Sequence, residues 1–167
     1  LRNSVPQHGE PGLRLIGRIG RVDPADLDAY RAEGGYEGLR RAVALGPAAT
    51  IEEVLAARLV GRGGAAFPTG RKWQAVAAQE RRPHHLVCNA DESEPGTFKD
   101  RLLMEGDPFA VLEGMAIAAF ATGAEHGYLY IRGEYPEAVA ALTRAIGIAR
   151  AAGLLGVDIL GSGWSFD

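Results

Sequence analysis

The order of three strand-like and two helix-like segments from residue 84 onward constrains the fold more than any other feature of the chain. "HHLVCNA" reads as a buried strand ending near Asn89, and Asp107-Pro108 then opens the nearly all-apolar helix "PFAVLEGMAIAAFA", through Ala121. "HGYLYIRG" is the next strand. Tyr135-Pro136 starts a helix, "PEAVAALTRAIGIARAAG", with Gly153 as its stop, and "GVDILG" reads as a third, short strand. Strand, helix, strand, helix, strand in that order predicts an α/β domain with a parallel sheet and right-handed crossovers. The stretch from Phe109 to Gly123 carries Glu113 and is shorter than the roughly twenty residues of a membrane span, so direct membrane insertion is not expected.

A helical segment precedes the sheet. "DPADLDAYRAEGG" is expected to start with Asp23 as N-cap and Pro24 at the first helical position, with "GGYEGLRRAVALG" continuing it. Thr50 and Glu53 form a capping-box pattern for "TIEEVLAARLV", which Gly61 stops. The N-terminal dozen residues lack an apolar signal core. The expected organisation is a tail over residues 1–22 and an α/β domain over 23–167. At 167 residues, 47% hydrophobic and 23% charged, the chain reads as one globular unit. Its net charge of −3, with the basic residues scattered between acids, leaves no electrostatic footprint for nucleic acid. The single Cys88 rules out an intrachain disulfide or a cysteine-only cluster in this chain, and suits a reducing cytoplasm. Cys88 itself reads as a small buried hydrophobe, and His84 and His85, at the start of a strand, as structural.

Chemistry concentrates in two stretches. In "GRGGAAFPTGRKW", residues 61–73, glycines precede Thr69, read as the N-cap of "GRKWQAVAAQ". Glycine backbone N–H groups at a helix N-terminus make a place for an anion. Arg71 and Lys72 oppose the helix dipole by roughly 0.3–1 kcal/mol, a penalty that a bound phosphate would reverse. The competing reading is a turn with two solvated cations. "GRGGAA" fits the dinucleotide fingerprint nominally, but the segment before it reads as a helix, not the strand that fingerprint requires. The phosphate-loop pattern fails, since Trp73 follows Lys72.

The second stretch, "CNADESEPGTFKDR", places Asn89, Asp91, Glu92, Ser93 and Glu94 just past a strand's carboxyl end, the edge where open α/β sheets bind ligands. Amide and carboxylate together suit a ligand rich in donors, such as a flavin ring edge or sugar hydroxyls. The spacing follows no calcium-loop pattern, and no metal site is expected. The alternative is an acidic, solvated turn pairing with Lys99 and Arg101.

"GRGGAAFPTGRKW", "NADESEPGTFKDR", "DPFAVLEGMAIAA" and "YLYIRGEYPEA", in this order and spacing, resemble the flavin-carrying NADH-oxidising subunit of respiratory complex I and the similar domains of NAD-dependent formate dehydrogenases and NAD-reducing hydrogenases. The resemblance runs from about Asp23 to the C-terminus. It implies a modified Rossmann-like fold with FMN at the sheet's carboxyl edge and NADH stacked on it. By motif position, Gly61, Gly63 and Gly64 would line the flavin and Lys72 contact its polar tail, while Asn89, Asp91 and Ser93 would hold the ring edge and ribityl hydroxyls. Phe67 is similar to the aromatic that stacks with the dinucleotide, and Glu94 to the carboxylate on the nicotinamide side; a core aromatic anchoring a proline turn is the other reading of Phe67.

The implied activity is an NADH dehydrogenase in which FMN accepts hydride from NADH and passes electrons to iron–sulfur subunits of a larger complex. That assembly would be cytoplasmic and peripheral to the inner membrane. No catalytic side chain is required, because the cofactor carries the chemistry. Two departures stand out. Ala66 replaces a third close glycine, and the chain stops at "GSGWSFD", where the family continues through a second flavin-contacting segment and a four-cysteine domain for a 4Fe–4S cluster. This predicts an incomplete domain that is weakly active at best in isolation. A truncated or subunit-contact module is the competing reading. A related ferredoxin-coupled NADH oxidoreductase shares "GGAAFPT", but its second motif is closer to "NGAECEP" than to "NADESEP".

Overall fold

The structure, a computed structural model, describes residues 12–62 and 64–167. Gly63 and the first eleven residues of the expected tail lie outside the described residues. Within residues 12–22, Ile19 is buried and Arg18 Nε pairs with Asp107 Oδ2 at 2.8 Å. Gly106 makes room for that packing, since a Cβ there would lie 2.9 Å from Ile19 Cγ2.

Three short helices follow. Helix α1 (Leu27–Ala32) starts later than Asp23: its cap is Asp26, whose Oδ1 accepts from the Asp28 and Ala29 N–H groups at 2.9 Å each, while Asp23 Oδ1 closes the preceding turn onto Ala25 N. Helix α2 (Glu37–Leu45) does not continue α1, because Tyr36 between them adopts a left-handed backbone (φ 62). Tertiary bonds hold that conformation. The buried Glu113 carboxylate accepts from Tyr36 N (2.7 Å), Leu39 N (3.1 Å) and the Tyr30 hydroxyl (2.6 Å), so an acid from a distant helix caps α2. The expected capping box at Thr50 is also displaced. Helix α3 (Pro47–Ala56) begins at the Gly46-Pro47 step, and Thr50 sits inside it with its hydroxyl donating back to Gly46 O at 2.8 Å. The helix ends before Gly61, at Ala56, and Arg58 turns left-handed (φ 53).

Helix α4 (Thr69–Ala77) leads to strand β1 (His84–Ala90), helix α5 (Lys99–Gly106), helix α6 (Pro108–Thr122), strand β2 (Ala124–Ile131) and helix α7 (Pro136–Ala151). Thr69 is the first residue of α4 rather than its cap; Pro68 holds that position and no side chain caps the helix. Proline opens α6 and α7 as expected, and α7 closes with Gly153 left-handed (φ 69) and Leu154 N bonded to Ala149 O at 2.9 Å.

The strands pair in parallel, with His85 opposite His126 and Asn89 opposite Tyr130. Helix α6 is apolar all round because it is the hub of the molecule: it packs on both strands and on α2, α3, α4, α5 and α7. Phe109, Leu112, Ala116 and Ala119 on it form the core with Leu39, Leu142, Ala145 and Ile159. The other sheet face is open, with Val87 61% and Tyr130 63% exposed and the His85 and His126 rings stacked at 5.6 Å.

The third strand expected in "GVDILG" does not form. Gly156, Asp158, Leu160 and Gly161 all have positive φ, which no strand tolerates, and Ile159–Gly161 is a 3-10 turn. The segment folds back instead, with Gly156 and Phe166 exchanging backbone bonds. Asp167 then meets the free edge of β2: its N–H bonds to Glu125 O, and its carbonyl accepts from Gly127 N. Among the described residues no helix is long and apolar enough to cross a membrane.

Candidate functional site

The glycine loop is a closed excursion between α3 and α4. Gly61 N donates to Phe67 O (2.9 Å) and Thr69 N to Leu59 O (2.8 Å), so the two ends of the segment are closed by a short antiparallel bridge between Val60 and Pro68. Gly64 has φ +100, which an L side chain rarely adopts. Gly61 is different: among the described residues a Cβ there would meet only Phe67 backbone atoms at 3.7–4.0 Å, ordinary contact. The fold therefore tolerates a side chain at Gly61, and its absence leaves backbone open to approach. Phe67 is 51% exposed, so it does not anchor the core. Arg71 and Lys72 are exposed in the first turn of α4. The direction of that turn is set by Gly70, where a Cβ would come within 2.6 Å of Leu55 Cγ and 2.9 Å of Leu55 N, so α4 can lie this close to α3 only with glycine there.

Beyond β1 the chain is organised by its own polar groups. Asn89 Oδ1 accepts from Asp91 N at 3.1 Å, and the Ser93 hydroxyl donates to Asp91 Oδ2 at 2.7 Å. Glu94-Pro95-Gly96-Thr97 closes a tight turn through Thr97 N to Glu94 O at 3.1 Å, with proline second and Gly96 (φ 80) third, as a type II turn requires. Asn89, Asp91, Ser93 and Glu94 are all exposed. Among the described residues, the expected pairing of this turn with Lys99 and Arg101 forms only through Glu92, whose Oε1 lies 3.8 Å from Lys99 Nζ and whose Oε2 accepts the Arg101 N–H at 3.1 Å; Lys99 Nζ also bonds to Asp100 (2.7 Å) and Arg101 Nε to Glu105 (2.7 Å), and the Asp91 and Glu94 carboxylates face solvent. Asn89 shares the open sheet face with Val87 and His85.

The structure thus joins Asn89, Asp91 and Ser93 in one hydrogen-bonded group and Gly61 and Phe67 in another. Among the described residues no hydrogen bond or ion pair links the two groups; both are carried by elements packed on α6, which holds α4 and β1. Gly63 belongs to the first loop by sequence and lies outside the described residues. Together the outward groups offer an amide, a hydroxyl, carboxylates, a cation and a backbone-lined loop. That donor and acceptor set can hold a polyhydroxylated chain ending in phosphate. Burial, and then the Asp100 charge, push the Cys88 thiol up, so it is not a poised thiolate. No three His, Cys, Asp or Glu side chains gather as a metal site among the described residues. A groove of about 660 Å³ between residues 19–24, α5 and α7 shares no lining residue with either loop.

Glu92, expected among the ligand-facing acids, turns inward, where it meets Arg132 and Tyr135, residues to which the sequence alone assigns no part in the site. The available signal was the start of α5, where Phe98-Lys99 provides no local side-chain cap and another carboxylate is needed.

Residues 54–162 match the family model described as the Nuo51 FMN-binding domain. An NADH-quinone oxidoreductase subunit of Rhizobium meliloti (strain 1021) is 51% identical over 153 residues, 91% of this chain and 36% of that protein. The NADH-quinone oxidoreductase subunit that matches in Escherichia coli (strain K12) is 51% identical over 146 residues, covering 86% of this chain and 33% of its own length. The NADP-reducing hydrogenase subunit HndC of Solidesulfovibrio fructosivorans is 48% identical over 156 residues, 93% and 32% respectively. The chain spans about a third of the length of these relatives. An NAD+-reducing [NiFe]-hydrogenase in its H2-reduced state superposes with a TM-score of 0.68 at 36% identity, over 79% of this chain and 22% of that one. In the air-oxidised state the values are 0.65 and 34%, over 84% and 23%. The family match takes in both loops and the α6 hub between their supporting elements, and the chain belongs to the Nuo51 FMN-binding domain family.

Proposed function

We propose that this chain is the first part of the FMN- and NADH-binding domain of an NADH-oxidising subunit. The observation that carries the reading is that one family match spans the glycine loop, the N-terminus of α4 and the loop after β1. The residues fit such a cofactor. Gly61 and Gly64 offer open backbone, Lys72 stands at a helix start suited to phosphate, and Asn89, Asp91 and Ser93 present amide, carboxylate and hydroxyl to a ring edge and ribityl chain. Gly63 would complete the loop. Bound FMN would supply acceptance of a hydride from NADH and release of the electrons one at a time. The chain's own part is to bind, orient and shield: exposed Phe67 offers a stacking face for the dinucleotide, and Glu94 a carboxylate to its nicotinamide side.

Electrons would leave for iron–sulfur clusters in further chain and partner subunits, in an assembly that is cytoplasmic and peripheral to a membrane. The domain would occupy residues 23–167 and continue into the remaining two-thirds of the relatives' length. Titrating FMN into the purified full-length protein tests the reading through quenching of flavin fluorescence, followed by NADH-dependent ferricyanide reduction. Wild type should bind FMN and Lys72→Ala should bind it about tenfold more weakly with its fold unchanged. Equal affinity in both would remove Lys72 from the site, and failure of wild type to bind FMN would end the proposal.

A further inference from the structure

The loop after β1 contains one buried carboxylate that the proposed function leaves unused. Asp91, Ser93 and Glu94 point outward, whereas the Glu92 side chain is 1% exposed. Its Oε1 accepts the Asp100 N–H at 2.9 Å, and its Oε2 accepts the Arg101 N–H at 3.1 Å and the Tyr135 hydroxyl at 3.3 Å. Lys99 Nζ stands 3.8 Å away, and the Glu92 carbonyl accepts from Arg132 Nη1 at 2.7 Å. These bonds tie one residue to two different elements. The side chain caps the start of α5, which no neighbouring side chain caps, and the backbone and hydroxyl contacts bind it to the turn between β2 and α7. Turning Glu92 outward would strand those buried donors, so its inward position is strongly enforced. In extended chain successive side chains point to opposite sides, and an inward Glu92 sends Asp91 and Ser93 outward.

We infer that Glu92 is a positioning residue, which fixes the backbone from which Asp91, Ser93 and Glu94 reach flavin and dinucleotide by bridging the α5 N-terminus to the Arg132–Tyr135 turn. The inference rests on the FMN site proposed above. It makes the loop's shape depend on a hydrogen-bond network rather than on the exposed residues themselves.

The test uses purified full-length protein, with FMN affinity read by fluorescence quenching and hydrogen–deuterium exchange read over residues 91–101. Glu92→Gln keeps the shape of the side chain but replaces the carboxylate acceptor, and should weaken FMN binding about ten- to a hundredfold while exchange over 91–101 accelerates. Tyr135→Phe removes one donor and should shift both readouts the same way by about two- to fivefold. Glu113→Gln is the control: that carboxylate is likewise buried and multiply bonded, but it caps α2, so it should lower Tm without moving FMN affinity. Wild-type affinity in Glu92→Gln, weaker binding with unaltered exchange, or an equal loss in Glu113→Gln would each overturn the inference. Should Glu92→Gln not fold, Tyr135→Phe decides alone, and wild-type values in it count against Glu92. If wild type itself binds no FMN, the proposed function falls and the inference with it; if wild type binds and Glu92→Gln binds equally, only the inference falls.

Discussion

Ala66 holds a left-handed backbone (φ 48) in the glycine loop, at the position where the resemblance expects a third glycine. A Cβ in that region is disfavoured by about 1–2 kcal/mol, and glycine carries an entropic cost of about 0.5–1 kcal/mol in return. The steric term is the larger. Ala66→Gly is therefore expected to leave stability unchanged or raise it by up to about 1 kcal/mol in urea unfolding, without weakening FMN binding. A clear loss of stability would mean that the Ala66 methyl makes a contact worth more than the strain. Glu94 poses the opposite question, since it is exposed and its backbone only closes a turn. On the proposed function, Glu94→Gln should change KM for NADH several-fold while bound flavin and Tm stay at wild-type values; unchanged KM and kcat together would remove Glu94 from the dinucleotide site.

Elements explain why some of this was legible in the sequence and some was not. β1, α6, β2 and α7 announce themselves locally, through apolar runs bracketed by Asp-Pro, Tyr-Pro and glycine stops, and all four formed, β2 at Ala124–Ile131 rather than over "HGYLYIRG" two residues later. The boundaries that moved were decided at a distance. Tyr36 breaks the first helix because Glu113, 77 residues away, takes its N–H. "GVDILG" has the composition of a strand, but its backbone turns left-handed four times between Gly156 and Gly161 to pair with the segment that follows it. At the site, the outward residues could be named from the motif, whereas Glu92 could not be separated from its acidic neighbours, because its partners lie eight, nine, forty and forty-three residues away. Gly70 shows the same dependence on packing: nothing in "TGRKW" reveals that α3 lies against it. Gly70→Ala should push α4 off Leu55, costing about 1–3 kcal/mol and weakening FMN binding through displacement of Lys72. Wild-type unfolding free energy in that variant would mean that the helices can part without loss.

For the molecule as a whole, two buried carboxylates give acid stability opposite signs. Burial alone would raise the Glu92 carboxyl, but the Asp100 and Arg101 N–H groups, Lys99 and the Tyr135 hydroxyl outweigh it and hold it below its ordinary value of 4.5. The unfolded chain therefore takes up the Glu92 proton first. Its contribution is complete above 4.5 and is lost as pH falls through the lower folded value. Asp107 runs the other way: burial pushes it above its ordinary 3.8, with Arg18 only partly offsetting that. The folded state then holds the proton more tightly than the unfolded one, and the stability from protonating Asp107 is present below 3.8 and lost as pH rises through the folded value. Urea unfolding free energies measured from about pH 3 to about pH 6 should separate the two. Glu92→Gln is expected to flatten the loss of stability on acidification, because the group that favours the ionised fold is gone. Asp107→Asn should steepen that loss even as it lowers stability at neutral pH by stranding Arg18, since slope reports proton uptake and intercept reports the broken ion pair. Parallel curves for wild type and both variants would mean that neither carboxyl titrates differently in the folded and unfolded chain, and that the hydrogen bonds around Glu92 do not hold it in its ionised form.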